Sequence, residues 1–323
     1  MLGPDFGHRT TLFPMTDTHL DTTQPFGLIG VGALAHAMAA TWAHQAPNQP
    51  IGVWARSASR GVRLRDAVQR SVGRPEGIET IDLLDSIDEM AAMHTTVLAV
   101  RDSDLEEVAR ELAQHPPEVE DAVVLHASGA LPVHVLEPLR LVGYQIGRMH
   151  PLVSLRRKAD PEGFRGVGFS ISGGPVAVAR AKALALWLGG WILPPLAEGE
   201  AQVRYHAAAS LLAGGIGVLF EYSLDGMARA LGDRDAARGG LIHLLRSVAA
   251  NLEEVEPRDA LTGPSARGDV EVVRQHLEAL TPEGAAIYRA LLPAMLHMAF
   301  ERGTLAEVDR DRMLAFLAQE GVA

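Results

Sequence analysis

The sequence predicts an α/β fold: a doubly wound sheet over residues 25–196, followed by an all-helical region over 197–323. Three observations carry this. Short apolar runs alternate with helix-forming stretches through the first part of the chain. The stretch Phe26-Gly27-Leu28-Ile29-Gly30-Val31-Gly32 passes from an apolar run into a glycine turn, and Ala35 then opens a helical stretch. Beyond Pro194-Pro195 the strand signals stop and every later segment has helical spacing.

The 323 residues suit two domains, each with its own core. Hydrophobic residues make up 47%, which excludes wholesale disorder, and the formal charge of -11 argues against a nucleic-acid surface. The longest uncharged apolar run, Ala207 to Phe220, falls short of the roughly 20 residues a membrane helix needs, so no membrane span is expected. Cysteine is absent, which rules out disulfides, thiolate nucleophiles and Cys-based metal sites and is compatible with a cytoplasmic protein. No metal is expected. Residues 1–24 read as a disordered or extended tail without the pattern of a signal peptide, and Met15 is an alternative start.

In chain order, Gly30, Gly32 and Ala35 fit the G-x-G-x-x-G/A pattern. The first glycine makes the turn, the second lets a pyrophosphate approach the backbone, and the third small residue packs helix on strand. Backbone N–H groups from Gly30, Val31, Gly32, Ala33 and Leu34, at the positive end of a helix, would hold the phosphates. Such turns also join strands and helices that bind nothing, so the next strand has to decide.

That strand, Pro50 to Trp54, runs into Ala55-Arg56-Ser57. A site preferring NAD carries an Asp or Glu there to bond the ribose 2′-hydroxyl. Arg56 can instead pair with a 2′-phosphate and Ser57 can donate to it, which points to NADP(H). The alternative is a solvated Arg56 at the head of an amphipathic helix with Arg60 and Arg63.

A short strand near Gly77 to Ile81 precedes a helix containing Leu83, Leu84, Ile87 and Met90. Thr96 to Val100 is a buried-strand run ending at Val100-Arg101-Asp102, on the edge where open α/β sheets bind ligands. Ser103 with Glu106 reads as a capping box for the next helix. Ala122 to Leu125 leads into His126-Ala127-Ser128, and Tyr144 to Met149 leads into His150-Pro151. Both histidines finish strands of the sheet and can exchange protons, while Ser128 can bond a nicotinamide amide or a substrate oxygen. Each could equally be a turn residue. Gly168 to Ser172, a helix from Val176 to Leu188, and Trp191 to Leu193 complete the domain.

The helical region opens near Ala201 with Arg204-Tyr205-His206 and continues to Leu231 through Gly214, Gly215 and Gly217, which suit close helix packing or a dimer contact. Asp269 is read as the cap of a helix from Val270, and Arg267 as a bidentate carboxylate holder. Thr281 with Pro282 starts the next helix, and Thr304 with Glu307 the last, giving four or five helices.

The segments Gly30-Val31-Gly32, Leu125-His126-Ala127-Ser128-Gly129, Met149-His150-Pro151-Leu152, Tyr205-His206-Ala207-Ala208-Ala209 and Leu261-Thr262-Gly263-Pro264 with Ala266-Arg267-Gly268-Asp269 occur in this order. The chain thereby resembles the Rossmann-like proteins with a C-terminal helical domain of unknown function. That family is similar to pyrroline-5-carboxylate reductases, ketopantoate reductases and 3-hydroxyacid dehydrogenases. The resemblance covers nearly everything after about residue 25. It implies an NADP-binding Rossmann-type domain, a helical domain that packs around a homodimer partner, and an active site in a cleft between the domains.

The chain also departs from these relatives. Ketopantoate reductases and 3-hydroxyacid dehydrogenases use a lysine on the first helix after the Rossmann domain; here the only lysines are Lys158 and Lys182, and His206 is the nearest titratable residue. Gly214 stands where the helical family usually has an asparagine. The reading is an NADPH-dependent reductase of a small 2-oxo or imino acid, with ketopantoate as the favoured kind of substrate. His206 or His150 would supply the proton, and Tyr205, Ser128 and Arg267 would hold the substrate. A deazaflavin-dependent NADP reductase, a non-catalytic dimeric NADP sensor, and a scaffold that binds no nucleotide are the alternatives.

Overall fold

In a computed structural model, residues 20–73, 80–156 and 158–319 are described. The tail over 1–19, with Met15, and most of the strand expected from Gly77 lie outside them. The chain divides into two compact units, Met1–Ala209 and Ser210–Ala323.

The first unit holds one sheet: β1 (Phe26–Ile29), β2 (Ile51–Trp54), β3 (Ile81–Leu83), β4 (Thr95–Leu98), β5 (Val123–His126), β6 (Gln145–Pro151), β7 (Gly168–Gly173) and β8 (Trp191–Ile192). The order is β3-β2-β1-β4-β5-β6-β7-β8, so the winding reverses between β1 and β4. Helices α1 (Ala33–Gln45), α2 (Ala58–Ser71), α3 (Asp102–Leu112), α4 (Glu137–Leu141) and α5 (Pro175–Trp187) connect the strands. β1, β2, β4 and β5 are buried along their whole length, as strands covered on both faces must be. Leu28, Val53, Val97 and Leu125 pack on one face with α1 and α5. Ile29, Trp54, Leu98, Val124 and Ile146 pack on the other with α3 and α4. Phe26 stacks on Trp42 with ring centroids 4.4 Å apart.

Several local expectations are corrected. Leu83 ends a strand, and Ile87 to Ala92 form a 3₁₀ helix. Its capping box uses Ser86 and Glu89, whose carboxylate accepts from the Ser86 N–H at 3.0 Å. The Ser103–Glu106 box does not form: α3 starts two residues earlier, with Arg101 at the N-cap, and the Ser103 hydroxyl donates to Asp104. β7 pairs antiparallel with β6, because no helix intervenes to carry the chain back across the sheet.

Helix α6 (Glu200–Leu231) begins in the first unit and runs into the second. The second unit continues with α7 (Arg234–Glu254), α8 (Pro257–Ala260), α9 (Pro264–Arg267), α10 (Val270–Ala279), α11 (Pro282–Glu301) and α12 (Glu307–Gln319). The expected count of four or five helices missed α8 and α9, single turns within the polar segment before α10. Thr281 caps α11 as expected, accepting from the Gly284 N–H. Asp269 stands at the start of α10 without capping it; its carboxylate accepts from Arg267 Nε. Thr304 turns back to bond the Ala299 carbonyl and leaves α12 to begin without it.

The expectation of no membrane span needs qualification. The run Ala207 to Phe220 lies inside a 32-residue helix with a window of mean hydropathy 1.5, so α6 is long and apolar enough to cross a membrane by length and composition. Only 6% of that window is buried. Leu211, Leu212 and Val218 are exposed, and a Cβ on Gly214, Gly215 or Gly217 would meet open space.

At Gly30 the backbone has φ +116°, and an added Cβ would lie 2.5 Å from the Ala99 carbonyl oxygen. Gly30→Ala is expected to cost about 1–3 kcal/mol through this strain. Gly32→Ala, with φ -78° and 3.5 Å to the same oxygen, should leave stability almost unchanged. Urea unfolding of the two variants checks this, and a Gly30→Ala protein as stable as the wild type would refute it.

Candidate active site

The carboxyl ends of β1, β2 and β4 open onto a cleft of about 420 Å³ lined by Gly30, Val31, Gly32, Trp54, Arg56, Ser57, Arg60, Ala99, Val100, Arg101 and Asp104, among others. Its floor is set by backbone bonds: the Gly30 N–H donates to the Trp54 carbonyl at 3.0 Å and the Ala99 N–H to the Ile29 carbonyl at 2.8 Å. Gly32 is the N-cap of α1, with no side-chain cap and no acid in the first turn. The first N–H groups of that helix are therefore left to an anion.

The start of α2 is alike. Ser57 is its N-cap without a capping bond, no acid occupies the first turn, and Arg60 enters the lining there. Arg56 lies beside α3, 2.9 Å from Glu107 and 3.8 Å from Glu111, with its side chain about half exposed. These surface pairs are weak, so a phosphate can compete for the guanidinium. The residues thus fit a dinucleotide phosphate on α1 and a second phosphate at Arg56, Ser57 and Arg60. Ala33 and Leu34 follow on α1, and Asp102 opens α3, all three beside the lining.

A second group of polar side chains lies at the ends of β5 and β6 and the first turns of α6. His126 is fully buried; its Nδ1 accepts from the Ser128 N–H at 3.3 Å, so Nε2 carries the proton. The Ser128 hydroxyl accepts from the Ala130 and Leu131 N–H groups, which closes the turn after β5. His150 Nδ1 and the Tyr205 hydroxyl are 2.9 Å apart, and the His206 ring lies 6.2 Å from that of His150, edge to face. A Cβ on Gly129 would come within 2.7 Å of both His150 Nε2 and His206 Nδ1, so only glycine lets this turn approach the two imidazoles. Gln202 anchors the turn to α6, donating to the carbonyls of Gly129 at 3.4 Å and Leu131 at 2.7 Å.

Burial governs the charges here. It pushes His126 down to about 3, with Arg148 adding to the effect. Burial, followed by His206 and Arg148, brings His150 down to about 4. The Tyr205 phenol is raised by burial. At neutral pH the two histidines are neutral.

The sequence-predicted residues thus fall into three places. Gly30, Val31, Gly32, Arg56, Ser57, Val100 and Arg101 share the cleft. His126, Ser128, His150, Tyr205 and His206 belong to the second group, so His126 and Ser128 are not in the lining of the phosphate cleft. Arg267 lies on α9 in the second unit, exposed and paired with Asp269 at 3.1 Å. Sequence reasoning missed Arg148, Gln202 and Gly129. Arg148 was visible as a charge at an inward position of a strand, two residues from buried Ile146.

These features define the class: a Rossmann-type sheet with an anion-ready glycine turn, joined to a helical unit. Residues 16–151 match a Rossmann-like domain, and residues 167–294 match the family described as Domain of unknown function (DUF2520). Among solved structures, the chain is similar to a Bacteroides fragilis protein provisionally described as an NADP oxidoreductase, with 21% identity, TM-score 0.66, and 85% of this chain and 98% of that one covered. It is also similar to a Plasmodium falciparum pyrroline carboxylate reductase with NADP bound (12%, 0.57, 88% and 98%). A third is a reductive aminase from Aspergillus terreus in complex with NADPH and ethyl levulinate (17%, 0.58, 85% and 94%). At these identities the likeness is one of fold. No curated protein matches the sequence significantly.

The unfolded chain protonates both histidines near 6.5, whereas the folded chain holds them neutral to about 4 and about 3. Below 6.5 the unfolded state binds more protons, so stability falls with pH by about 1.4 kcal/mol per unit for each histidine. Urea midpoints at pH 7 and pH 5 should separate for the wild type and separate by about half as much for His150→Gln, in which only His126 still contributes. Equal slopes in both proteins would contradict the neutral assignment.

Proposed function

We propose that the protein is an NADP(H)-dependent oxidoreductase that reduces a small 2-oxo or imino acid. The observation that carries this is the pairing of an uncapped, acid-free α1 N-terminus behind Gly30 and Gly32 with Arg56, Ser57 and Arg60 in one cleft. The reading has places for the cofactor's central pyrophosphate and for the 2′-phosphate of its adenosine ribose, and no carboxylate stands at the end of β2 to favour a free ribose hydroxyl. The bound nucleotide would supply a hydride.

In this reading Ser128 and His126, at the end of β5, would lie near the nicotinamide of a bound cofactor. Hydride goes to the carbonyl or imine carbon, and a proton goes to the oxygen or nitrogen. His150, neutral at working pH, acts as a partner that orients and exchanges a proton with the Tyr205 hydroxyl. His206, whose buried Nδ1 has no hydrogen-bond partner, is the proposed proton donor. A ketopantoate-like 2-oxo acid remains the favoured substrate; the pyrroline carboxylate reductase and reductive aminase names among the structural neighbours lend support to an imino compound. The apolar face of α6 supports a homodimer through the helical unit.

A second reading, a dimeric NADP-binding sensor without turnover, follows from the absence of lysine in α6 and from Gly214 in place of a polar residue. Titration with NADPH and NADH, repeated on Arg56→Ala, tests the common part of both readings. NADPH should bind more tightly, and Arg56→Ala should lose about tenfold or more for NADPH alone. Equal affinities for the two nucleotides, or no binding of either, would defeat the proposal. Binding without reduction of any oxo or imino acid, unchanged by His206→Ala, would favour the sensor.

A further inference from the structure

Arg148 is the one cation in the first unit's second polar group, and it is completely buried. One bond satisfies it within the protein: Nη2 donates to the Ser170 hydroxyl at 3.1 Å. Its Nε and Nη1 have no partner. Among the described residues no carboxylate lies within ion-pair distance; Glu198, the acid that acts on it electrostatically, instead accepts the Val133 N–H. An arginine cannot shed its proton to escape this environment.

The sheet register extends the observation. His126 on β5 stands opposite Arg148 on β6, and Arg148 stands opposite Ser172 on β7. Residues in register share a face, so the three side chains form a row across adjacent strands. His126 Nε2, which carries that ring's proton, meets the Pro132 backbone without a well-formed hydrogen bond, and the buried Ser172 hydroxyl has no partner. The row therefore presents unfilled donors on both sides of a buried cation. Three orphaned polar atoms in one row, with a fourth poorly bonded, are unusual in a folded protein.

We propose that the row His126, Arg148 and Ser172 is an anion site that takes a carboxylate, the acid end of the substrate in the reaction proposed above. The inference rests on that reading for the identity of the ligand, but not for the existence of the site. Donors flanking Arg148 from β5 and from β7 suit an acceptor with two oxygens better than a single-centred ion. The row lies at the carboxyl end of β5 and midway along β6, next to the edge by which ligands reach open α/β sheets. It also sits beside the His150–Tyr205 pair, since His150 stands two residues from Arg148 on the same face. A substrate held by its acid group there brings the neighbouring carbonyl or imine group to the proposed proton donors. Arg148, rather than the exposed and already paired Arg267, then supplies the charge that recognises the acid.

The test is a thermal melting titration of the nucleotide-free protein with acetate, against chloride at matched ionic strength. Acetate should raise the wild-type midpoint and chloride should not. Arg148→Met should raise the apparent acetate dissociation constant by about tenfold or more, the loss of a charge-assisted hydrogen bond. If Arg148→Met does not fold, Ser172→Ala and Arg148→Lys carry the test, and both should weaken acetate severalfold. Arg267→Ala should titrate as the wild type. Acetate acting no differently from chloride, Ser172→Ala and Arg148→Lys behaving as wild type, or loss of the effect in Arg267→Ala would each overturn the proposal. An acetate effect in a protein that binds no NADPH would leave the site standing and remove only the reductase reading.

Discussion

The close passage of Gly30 against the Ala99 carbonyl is the constraint on which the first unit turns. Here the chain leaves β1 and must enter α1 beside the end of β4, at the point where the strand order reverses. A side chain would strike backbone, which cannot give way as a flexible neighbour could. Glycine at φ +116° lets the turn stay tight, and the tight turn aims the uncapped end of α1 into the cleft. The geometry proposed to hold phosphates is thus a by-product of the same packing that joins helix to sheet.

A second glycine works in a comparable way at the other end of the polar edge. Gly129 brings its backbone against His150 and His206, where a Cβ would lie 2.7 Å from a ring nitrogen of each. Burial in this part of the first unit holds His126 and His150 neutral and raises Tyr205. Keeping a guanidinium in such surroundings costs several kcal/mol unless a charge answers it. That cost sets Arg148 apart from the exposed arginines, most of which sit in surface pairs worth little. Stability and recognition are in tension along β6, where the buried charge would be a poor choice for packing alone.

Much of this was legible in the residues. The alternation of apolar runs located seven of the eight strands, and the glycine spacing located the turn, since both depend on contacts near in sequence. Local signals failed where tertiary contacts outbid them. The Ser103–Glu106 pair has the spacing of a capping box, yet α3 starts at Asp102 because the end of β4 fixes where the helix can begin. Leu83 and Leu84 have helical company in the sequence but are drawn into pairing with β2. The length of uninterrupted apolar sequence also understated α6, because a helix carries its apolar character past isolated charged residues.

The sequence by itself determined the α/β class, the nucleotide-type turn at Gly30 and Gly32, the arginine and serine at the end of β2, and the helical second half. Each follows from residue type and short-range spacing. Only the tertiary structure decided that β7 runs antiparallel, that His150 meets Tyr205, and that His126, Arg148 and Ser172 stand in one row. Those facts depend on register between strands distant in the chain and on which groups lose their water, and neither quantity is written in local spacing.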